Sequence, residues 1–284
     1  MKPLTYLSLF LVIALGICGC VPASSTTAPA EVKPPVSSST PIPPTSTSTF
    51  TPTETATLPA TLESEQAKET IRTLLQDSVD CEAPCFWGIT PRQTTLSEAI
   101  NIFTHLGLQV ESTIFQGKDF YGIEHEFDNG LSISITLTIQ DDFVKNLRVD
   151  MLPEKSSAGV PRMWSAYSPE TLINRYGPPS KVDFFLDWGP NSLIEMDMYF
   201  DTVDLIVSYG GYNIIPRQKS SPHFCPLTAQ FDSVRVWMGK DPYEPPSELV
   251  PLEKATSMTL EDFSDLMKGN PNKACFILDA EEFP

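Results

Sequence analysis

The segment from Val21 to Thr61 limits what this chain can fold into, because Pro, Ser and Thr make up roughly two-thirds of its residues. With so little apolar surface, the segment cannot offset the entropy that is lost on ordering. Its prolines favour the polyproline II conformation at ~3.1 Å per residue, which gives a reach of roughly 120 Å. We therefore predict a disordered tether over residues 20–61 and a folded part from about Leu62 to Pro284.

The first residues have the pattern of a secretory signal peptide. A positive charge at Lys2 precedes an apolar run from Leu4 to Ile17. This run is shorter than the ~20 residues that a membrane-spanning helix needs. We therefore predict a signal peptide over residues 1–19 and export of the rest of the chain.

The end of this run, Ile17-Cys18-Gly19-Cys20, resembles the lipobox of bacterial lipoproteins. The resemblance implies cleavage after Gly19 and a thioether-linked diacylglycerol on Cys20, usually with a further amide-linked acyl chain. Cys18 is the poorer candidate, because bulky Ile17 would precede its cleavage site. Two or three acyl chains would hold the protein stably on a bilayer, since each buried CH₂ contributes ~0.8 kcal/mol. Ordinary secretion and an uncleaved anchor are the alternatives.

The remaining part has the composition of a folded, acidic domain. Between Ser64 and Pro284 there are 33 acidic and 17 basic residues, so this part carries 16 of the chain's 17 net negative charges. Such a surface makes nucleic acid and bare anionic lipid poor partners. About 220 residues can enclose a sizeable core, either as one large domain or as two small units in contact.

The first predicted unit, residues 62–160, begins with two helices. Apolar residues at helical spacing predict one helix from about Leu62 to Gln76. The capping box Thr95-Leu96-Ser97-Glu98 begins a second helix, which Gly107 ends. The capping box and the apolar face that follows it make this the best-signalled helix of the chain.

An antiparallel meander of about four strands follows these helices. Asn129-Gly130 and Asp141-Asp142 are turn sequences between strands. From Leu131 to Ile139, apolar residues alternate with Ser and Thr, which predicts a strand with one buried face and one wet face.

The second predicted unit, residues 161–284, repeats this order in shortened form. Ser168-Pro169-Glu170 begins a helix that Gly177 ends, and Thr259 begins another. The predicted strands of this unit are Lys181–Asp187, Leu193–Phe200, Val203–Tyr209 and Val234–Met238. We therefore predict an α+β fold of duplicated helix and β-meander units, with the helices packed on one face of the sheet.

The order of these pieces resembles the repeat of the β-lactamase-inhibitor-protein-like fold, which the small outer-membrane-assembly lipoproteins of the SmpA/OmlA type share. The matching pieces are Thr90 to Gly107 and Tyr167 to Pro179, each a turn followed by an amphipathic helix. The first departs from the pattern, because Leu108-Gln109 rather than proline follows Gly107 and because Arg92 stands where Gly is usual. The resemblance covers about half of the folded part and implies a binding protein without catalytic residues.

Four cysteines remain after cleavage and lipidation, namely Cys81, Cys85, Cys225 and Cys275. An even number in an exported chain favours disulfides, and three pairings are possible. We favour Cys81 with Cys85 and Cys225 with Cys275, the second bond stapling the C-terminal tail. The Cys-x₃-Cys pair also resembles the copper site of cytochrome oxidase assembly proteins, but that site needs a thioredoxin-like scaffold. We therefore predict no metal and no other cofactor.

The sequence contains no recognisable catalytic constellation. His105, His125 and His223 are isolated and lack a nucleophile motif. An acidic group that could act in pairs on sugars consists of Glu195, Asp197, Asp201 and Asp204. Because Glu195 and Asp197 alternate with apolar residues, we interpret them as a solvated strand face. Tryptophans that could line a sugar platform, but that are more often core residues, are Trp87, Trp164, Trp188 and Trp237.

These observations predict a membrane-anchored, extracytoplasmic lipoprotein that acts as a binding or interaction module at the cell surface or the periplasmic face. Its sheet face or its loops, such as Phe184 to Pro190, would contact an envelope protein or a glycan. The lipid bilayer would be the partner of acylated Cys20. An extracytoplasmic hydrolase that acts on carbohydrate through acidic residues is the alternative, and a purely structural envelope protein is a third possibility.

Overall fold

The structure is a computed structural model. It describes residues 60–76, 81–115, 118–127, 130, 132–152, 162–188, 192–212, 222–229, 231–240, 248–269 and 274–283. The predicted signal peptide, the tether and Cys20 lie outside the described residues, and so do Asn129 of the predicted turn and Pro190 of the predicted binding loop.

Helices and antiparallel strands make up the described chain, as the sequence predicts. The α-helices are α1 (Ser64–Gln76), α2 (Leu96–His105), α3 (Pro169–Tyr176), α4 (Leu252–Thr256) and α5 (Leu260–Lys268). The first seven strands are β1 (Glu111–Phe115), β2 (Lys118–Glu126), β3 (Ser132–Gln140), β4 (Phe143–Leu152), β5 (Lys181–Asp187), β6 (Leu193–Phe200) and β7 (Leu205–Tyr212). The others are β8 (His223–Phe224), β9 (Ser233–Met238), β10 (Val250–Pro251) and β11 (Phe276–Ile277). Short 3₁₀ helices lie at Arg162–Tyr167, Asp201–Val203 and Ala280–Glu282.

Side-chain caps fix where the helices begin. At α2, Thr95 Oγ1 accepts a hydrogen bond from the Glu98 amide at 3.3 Å, and Glu98 Oε2 accepts one from the Thr95 amide at 2.8 Å. The backbone bond from Thr95 is the main cause that lowers the pKa of Glu98. The same reciprocal pair, formed by Thr259 and Asp262, begins α5. These caps satisfy amides that have no partner within the helix.

The alternation in β3 is present in the structure. Ile133, Ile135 and Leu137 are buried, whereas the hydroxyl residues between them are half-buried. The turn to β4 uses Asp141 and Asp142, whose φ angles are +53° and +68°. Two successive left-handed residues match the twist of a two-residue hairpin, and Asp tolerates that conformation better than most residues.

One nine-stranded sheet contains most of the described strands, in the order β1-β2-β3-β4-β9-β7-β6-β5-β10, and β8 pairs separately with β11. All of the pairs are antiparallel. Strands β1–β4 form one meander and β5–β7 form a second. Strand β9 lies between β4 and β7, so strands from both predicted units share this sheet.

Some elements differ from the sequence prediction. Strand β7 begins at Leu205 rather than at Val203, because the chain first makes a 3₁₀ turn and Asp204 adopts a left-handed φ of +46°. Other differences include the short elements β8, β10, β11 and α4, none of which the sequence predicted. Elements of two to five residues contain too few positions for a hydrophobic period to show.

A single hydrophobic core includes residues of the helices and alternate residues of the strands. Phe103 of α2 and Phe263 of α5 belong to it, together with Val207 of β7. The Tyr209 hydroxyl donates a hydrogen bond to the Tyr167 carbonyl oxygen at 2.6 Å, which ties β7 to the neighbouring 3₁₀ helix. Burial raises the pKa of Tyr209 above its ordinary value, so this hydroxyl stays a donor.

The four cysteines that the structure describes form two disulfides, Cys81–Cys85 and Cys225–Cys275. This is the pairing that the sequence analysis favoured. The second bond closes a loop with a sequence separation of 50 residues, which contains β9, β10, α4 and α5. It therefore constrains the segment that completes the centre of the sheet.

We expect loss of the long-range disulfide to destabilise the protein more than loss of the local one. In the chain-entropy model, closing the Cys225–Cys275 loop adds about 4 kcal/mol to the free energy of unfolding, and closing the Cys81–Cys85 loop adds about 2 kcal/mol. Urea unfolding of the two double Cys→Ser variants would measure both free energies. A smaller loss for the Cys225 and Cys275 variant than for the Cys81 and Cys85 variant would contradict this expectation.

Candidate binding face of the sheet

A row of polar side chains crosses the sheet on the face opposite to its core-facing residues. Strand register places each member directly opposite the next. In order from β2 to β5, the row is Glu124, Ser134, Asp150, Arg235, Ser208, Asp197 and Asp183. We call it the polar row, and the sheet surface that bears it the polar face. No local sequence pattern identifies it, because its members come from strands far apart in the chain.

The β5–β7 end of the polar row is buried. Asp183 is 1% exposed and Asp197 is fully buried, and Glu195, the neighbour of Asp197 on the same face of β6, is 9% exposed. The interpretation of Glu195 and Asp197 as a solvated strand face is therefore wrong. Alternation along a strand shows that its two faces differ, but it does not show whether the polar face is covered.

Ion pairs and hydrogen bonds hold these buried carboxylates. The Ser208 hydroxyl donates to Glu195 Oε1 at 2.8 Å. Lys181 Nζ lies 2.5 Å from Asp183 Oδ2. Burial of Tyr199 in this group, with Asp197 and Asp183 nearby, raises the pKa of its hydroxyl far above the ordinary value. These partners offset part of the desolvation cost of the carboxylates.

Arginines connect the buried end of the row with its middle. Arg235 Nη1 lies 3.8 Å from Glu195 Oε1, and its Nε lies 3.4 Å from Asp150 Oδ1. Arg148 donates from Nη2 to the same oxygen of Asp150 at 2.7 Å and lies over the ring of Trp237 at 5.9 Å. Charge in the centre of the polar face is therefore largely balanced.

The β2–β4 half of the polar face is open. Glu124 and Arg148 are exposed and Ser134 is half-buried. Leu152, at the end of β4, is an apolar side chain that is 49% exposed on this face. The structure thus divides the polar face into a buried acidic end and an open end, and only the open end is accessible to a large partner.

A trough with a volume of about 480 Å³ lies in the open half, along β2. Gly122 forms its floor, with Glu111 of β1 directly opposite on one side and Thr136 of β3 on the other. Phe120 and Glu124 lie at its two ends. They are the residues two before and two after Gly122, on the same face of β2. Gly122 leaves room for the trough because it has no side chain. An added Cβ would stand in it and approach the Ile135 carbonyl oxygen at 3.1 Å.

A second depression, with a volume of about 720 Å³, lies between α1 and α2. Its apolar lining is Leu74, Ile102 and Leu106. His105 also lines it and contacts the Ala60 carbonyl oxygen through Nδ1 at 2.6 Å. This groove contains one carboxylate, Glu98, which already caps α2.

The predicted histidines lie in different elements. His105 is at the end of α2, His125 in β2 packs edge-on against Phe127 at a centroid distance of 4.6 Å, and His223 is exposed in β8. Asp201 and Asp204 lie in the turn between β6 and β7, outside the polar row. Within the described ranges, no group of three or more His, Cys, Asp or Glu side chains is arranged to hold a metal ion.

The tryptophans and the Cys-x₃-Cys pair do not have the surroundings that a sugar-binding or metal-binding site would require. Trp87, Trp164 and Trp237 are buried, and Trp188 is half-buried against the core. The disulfide engages both sulfurs of the Cys81 and Cys85 pair. These residues therefore offer neither a sugar platform nor a free thiolate.

No family model matches the chain, and neither the curated proteins nor the solved structures contain a detectable relative. The candidate site therefore rests on its own geometry. The sequence analysis did not single out the residues that form the polar face, and their alternation with apolar residues in strands was the signal for them. They are Asp183, Ser208, Arg235, Gly122, Glu111, Phe120, Glu124 and Leu152.

Proposed function

We propose that the protein is a membrane-anchored, extracytoplasmic lipoprotein that binds a component of the cell envelope. The two disulfides support an oxidising compartment, since such bonds persist mainly in exported proteins. None of the helices in the part of the chain that the structure describes is long and apolar enough to cross a membrane. The lipobox resemblance of Ile17 to Cys20 supports lipid attachment as the means of anchoring.

We further propose that the two meanders arose by duplication and that the helices cover the apolar face of the sheet. The N-capped helices α2 and α3 each precede a meander, at Thr95 and Ser168. The shared core of helical and strand residues supports packing on one face. This arrangement is consistent with the resemblance to the SmpA/OmlA type of lipoprotein, whose members are binding proteins.

The observation that carries the proposal is the open half of the polar face. It combines exposed charges, hydroxyl groups, the exposed Leu152 and a trough. Interaction sites commonly combine an exposed apolar residue with a rim of polar groups. We place the binding surface on β1–β4 rather than at Phe184 to Pro190, because Phe184 to Asp187 is the end of strand β5 and not a loop, and the Phe184 side chain is buried.

Lipid attachment at Cys20 is testable by mass analysis of the native protein. We expect the mature chain to begin at Cys20 and to carry the mass of a diacylglycerol, with or without a further acyl chain. A Cys20→Ala variant should lose that mass and leave the membrane fraction, because no other lipid attachment site is proposed. Finding that Cys20 is unacylated in the native protein would contradict the proposed lipid anchor.

The binding surface is testable by recovery of envelope material on the tagged full-length protein in detergent. We expect Leu152→Asp to reduce recovery of a specific protein or glycan at least fivefold, which corresponds to about 1 kcal/mol. Ile277→Asp is the matched control, because Ile277 is 50% exposed but lies in β11, outside the nine-stranded sheet. Equal recovery by the wild type and the Leu152 variant, or no specific recovery at all, would contradict the proposal.

A carbohydrate hydrolase is the second candidate, and one observation favours it. Asp183 and Asp197 are directly opposed on neighbouring strands, with Glu195 beside them. Glycoside hydrolases usually act through a pair of carboxyl groups that lie a short distance apart. Their near-complete burial weighs against this role, because a substrate has to reach them.

This candidate makes a separate prediction. If the protein is a hydrolase, the full-length chain releases reducing sugar from envelope polysaccharide, and Asp197→Asn lowers that rate at least a hundredfold while the protein stays folded. Asp201→Asn, in the exposed turn, is the control. Absence of turnover in the wild type, or equal turnover by Asp197→Asn, would remove this candidate.

A further inference from the structure

The trough over Gly122 has a lining whose chemistry indicates its ligand. Glu111 and Glu124 are exposed carboxylates on its rim, Ser134 and Thr136 contribute hydroxyl groups, and the half-buried Phe120 ring lies at one end. Among the described residues that line it, none is a lysine or an arginine, and the imidazole of His125 stands against the two carboxylates. An anionic ligand is therefore disfavoured, and a ligand with positive charge is favoured.

The hydroxyl groups and the size of the trough indicate more than a small cation. A metal ion would be poorly held, since the described lining contains two carboxylates, Glu111 and Glu124, and no described metal group includes them. A volume of about 480 Å³ lies within the range of small-molecule sites. Ser134 and Thr136 can both donate and accept hydrogen bonds, which suits a ligand that is rich in hydroxyl groups.

We propose that the trough binds an amino-sugar unit of a glycan, one that carries a free ammonium group. The ammonium lies between the carboxylates of Glu111 and Glu124. The sugar hydroxyls bond to Ser134 and Thr136, and the apolar face of the ring packs against Phe120. This inference rests on the proposed function, because it names what the open half of the polar face recognises.

Gly122 explains why such a flat ligand fits there. Directly opposite residues in adjacent antiparallel strands have Cβ atoms about 5 Å apart, so a side chain at position 122 would fill the space between Glu111 and Thr136. Without one, the backbone of β2 is the floor, and the flanking residues form walls on both sides. The residues of β4 on this face lack such a gap, since Arg148 and Asp150 are paired with each other.

Isothermal titration calorimetry of the full-length protein in detergent tests this proposal. The probe is a tetrasaccharide of β-1,4-linked glucosamine, compared with its N-acetylated form and with a tetragalacturonate. We expect the glucosamine form to bind, the N-acetylated form to bind about tenfold more weakly because it lacks the charge, and the galacturonate not to bind.

Matched variants identify the trough as the site. Glu111→Gln and Glu124→Gln should each weaken binding of the glucosamine probe about tenfold, and Phe120→Leu about fivefold. Glu126→Gln is the control, since Glu126 is an exposed glutamate on the same face of β2 that does not line the trough. It should leave affinity within twofold of the wild type. Equal thermal unfolding midpoints would show that the variants stay folded.

Three results would overturn the proposal. They are no binding of the glucosamine probe at millimolar concentration, equal weakening by Glu126→Gln and Glu124→Gln, and tetralysine binding that is as tight as the sugar and unaffected by Phe120→Leu. The last result would assign the trough to a basic peptide instead.

If the sugar binds but Leu152→Asp leaves envelope recovery unchanged, only the assignment of the larger surface fails. If Leu152→Asp acts as expected but the sugar does not bind, only the ligand of the trough is wrong.

Discussion

The pairing of β9 with both β4 and β7 is the interaction on which the rest of the structure depends. Five residue pairs join β9 to β4 and six join it to β7, so the two meanders become one sheet only through this strand. Two glycines allow the close fit. A Cβ on Gly210 would approach Ser233 Oγ at 2.8 Å, and a Cβ on Gly239, which has a φ of +105°, would approach the Lys145 carbonyl oxygen at 2.7 Å. Loss of β9 would leave two smaller sheets with unpaired edges in the middle of the domain.

Local chemistry in the sequence determines much of the fold, and these parts could be predicted. Thr95 and Glu98 fix the start of α2, the alternation in β3 separates its buried residues from its half-buried ones, and Asp141-Asp142 turns the chain back into β4. Each of these signals involves residues within a few positions of one another. The insertion of β9 between β4 and β7 depends instead on distant residues, because the paired residues of β4 and β9 are more than 80 positions apart in the chain. No local pattern encodes such a partner.

The candidate site shows the same division. That Glu195 and Asp197 share one face of β6 follows from their alternation with apolar residues, whereas their burial does not. Burial depends on what lies over that face, and a lone strand sequence carries no information about it. The trough is similar, because Gly122 becomes a floor only when Glu111 and Thr136 stand on either side of it. The residue types were visible in the sequence, but their neighbours come from strand register.

The contrast between the two ends of the polar row bears on where binding takes place. Buried carboxylates such as Asp183 and Glu195 cost free energy unless their partners are well placed, and Lys181 and Ser208 supply part of that compensation, Lys181 to Asp183 and Ser208 to Glu195. Buried carboxylates with such partners can serve to fix the strand register of the second meander. That role would require no ligand. The charges of the open half, Glu111 and Glu124, face solvent at little cost and remain available. Under the proposal of an anchored chain that binds an envelope glycan, the trough would not need a high intrinsic affinity, because anchoring would raise the effective concentration of the glycan around it.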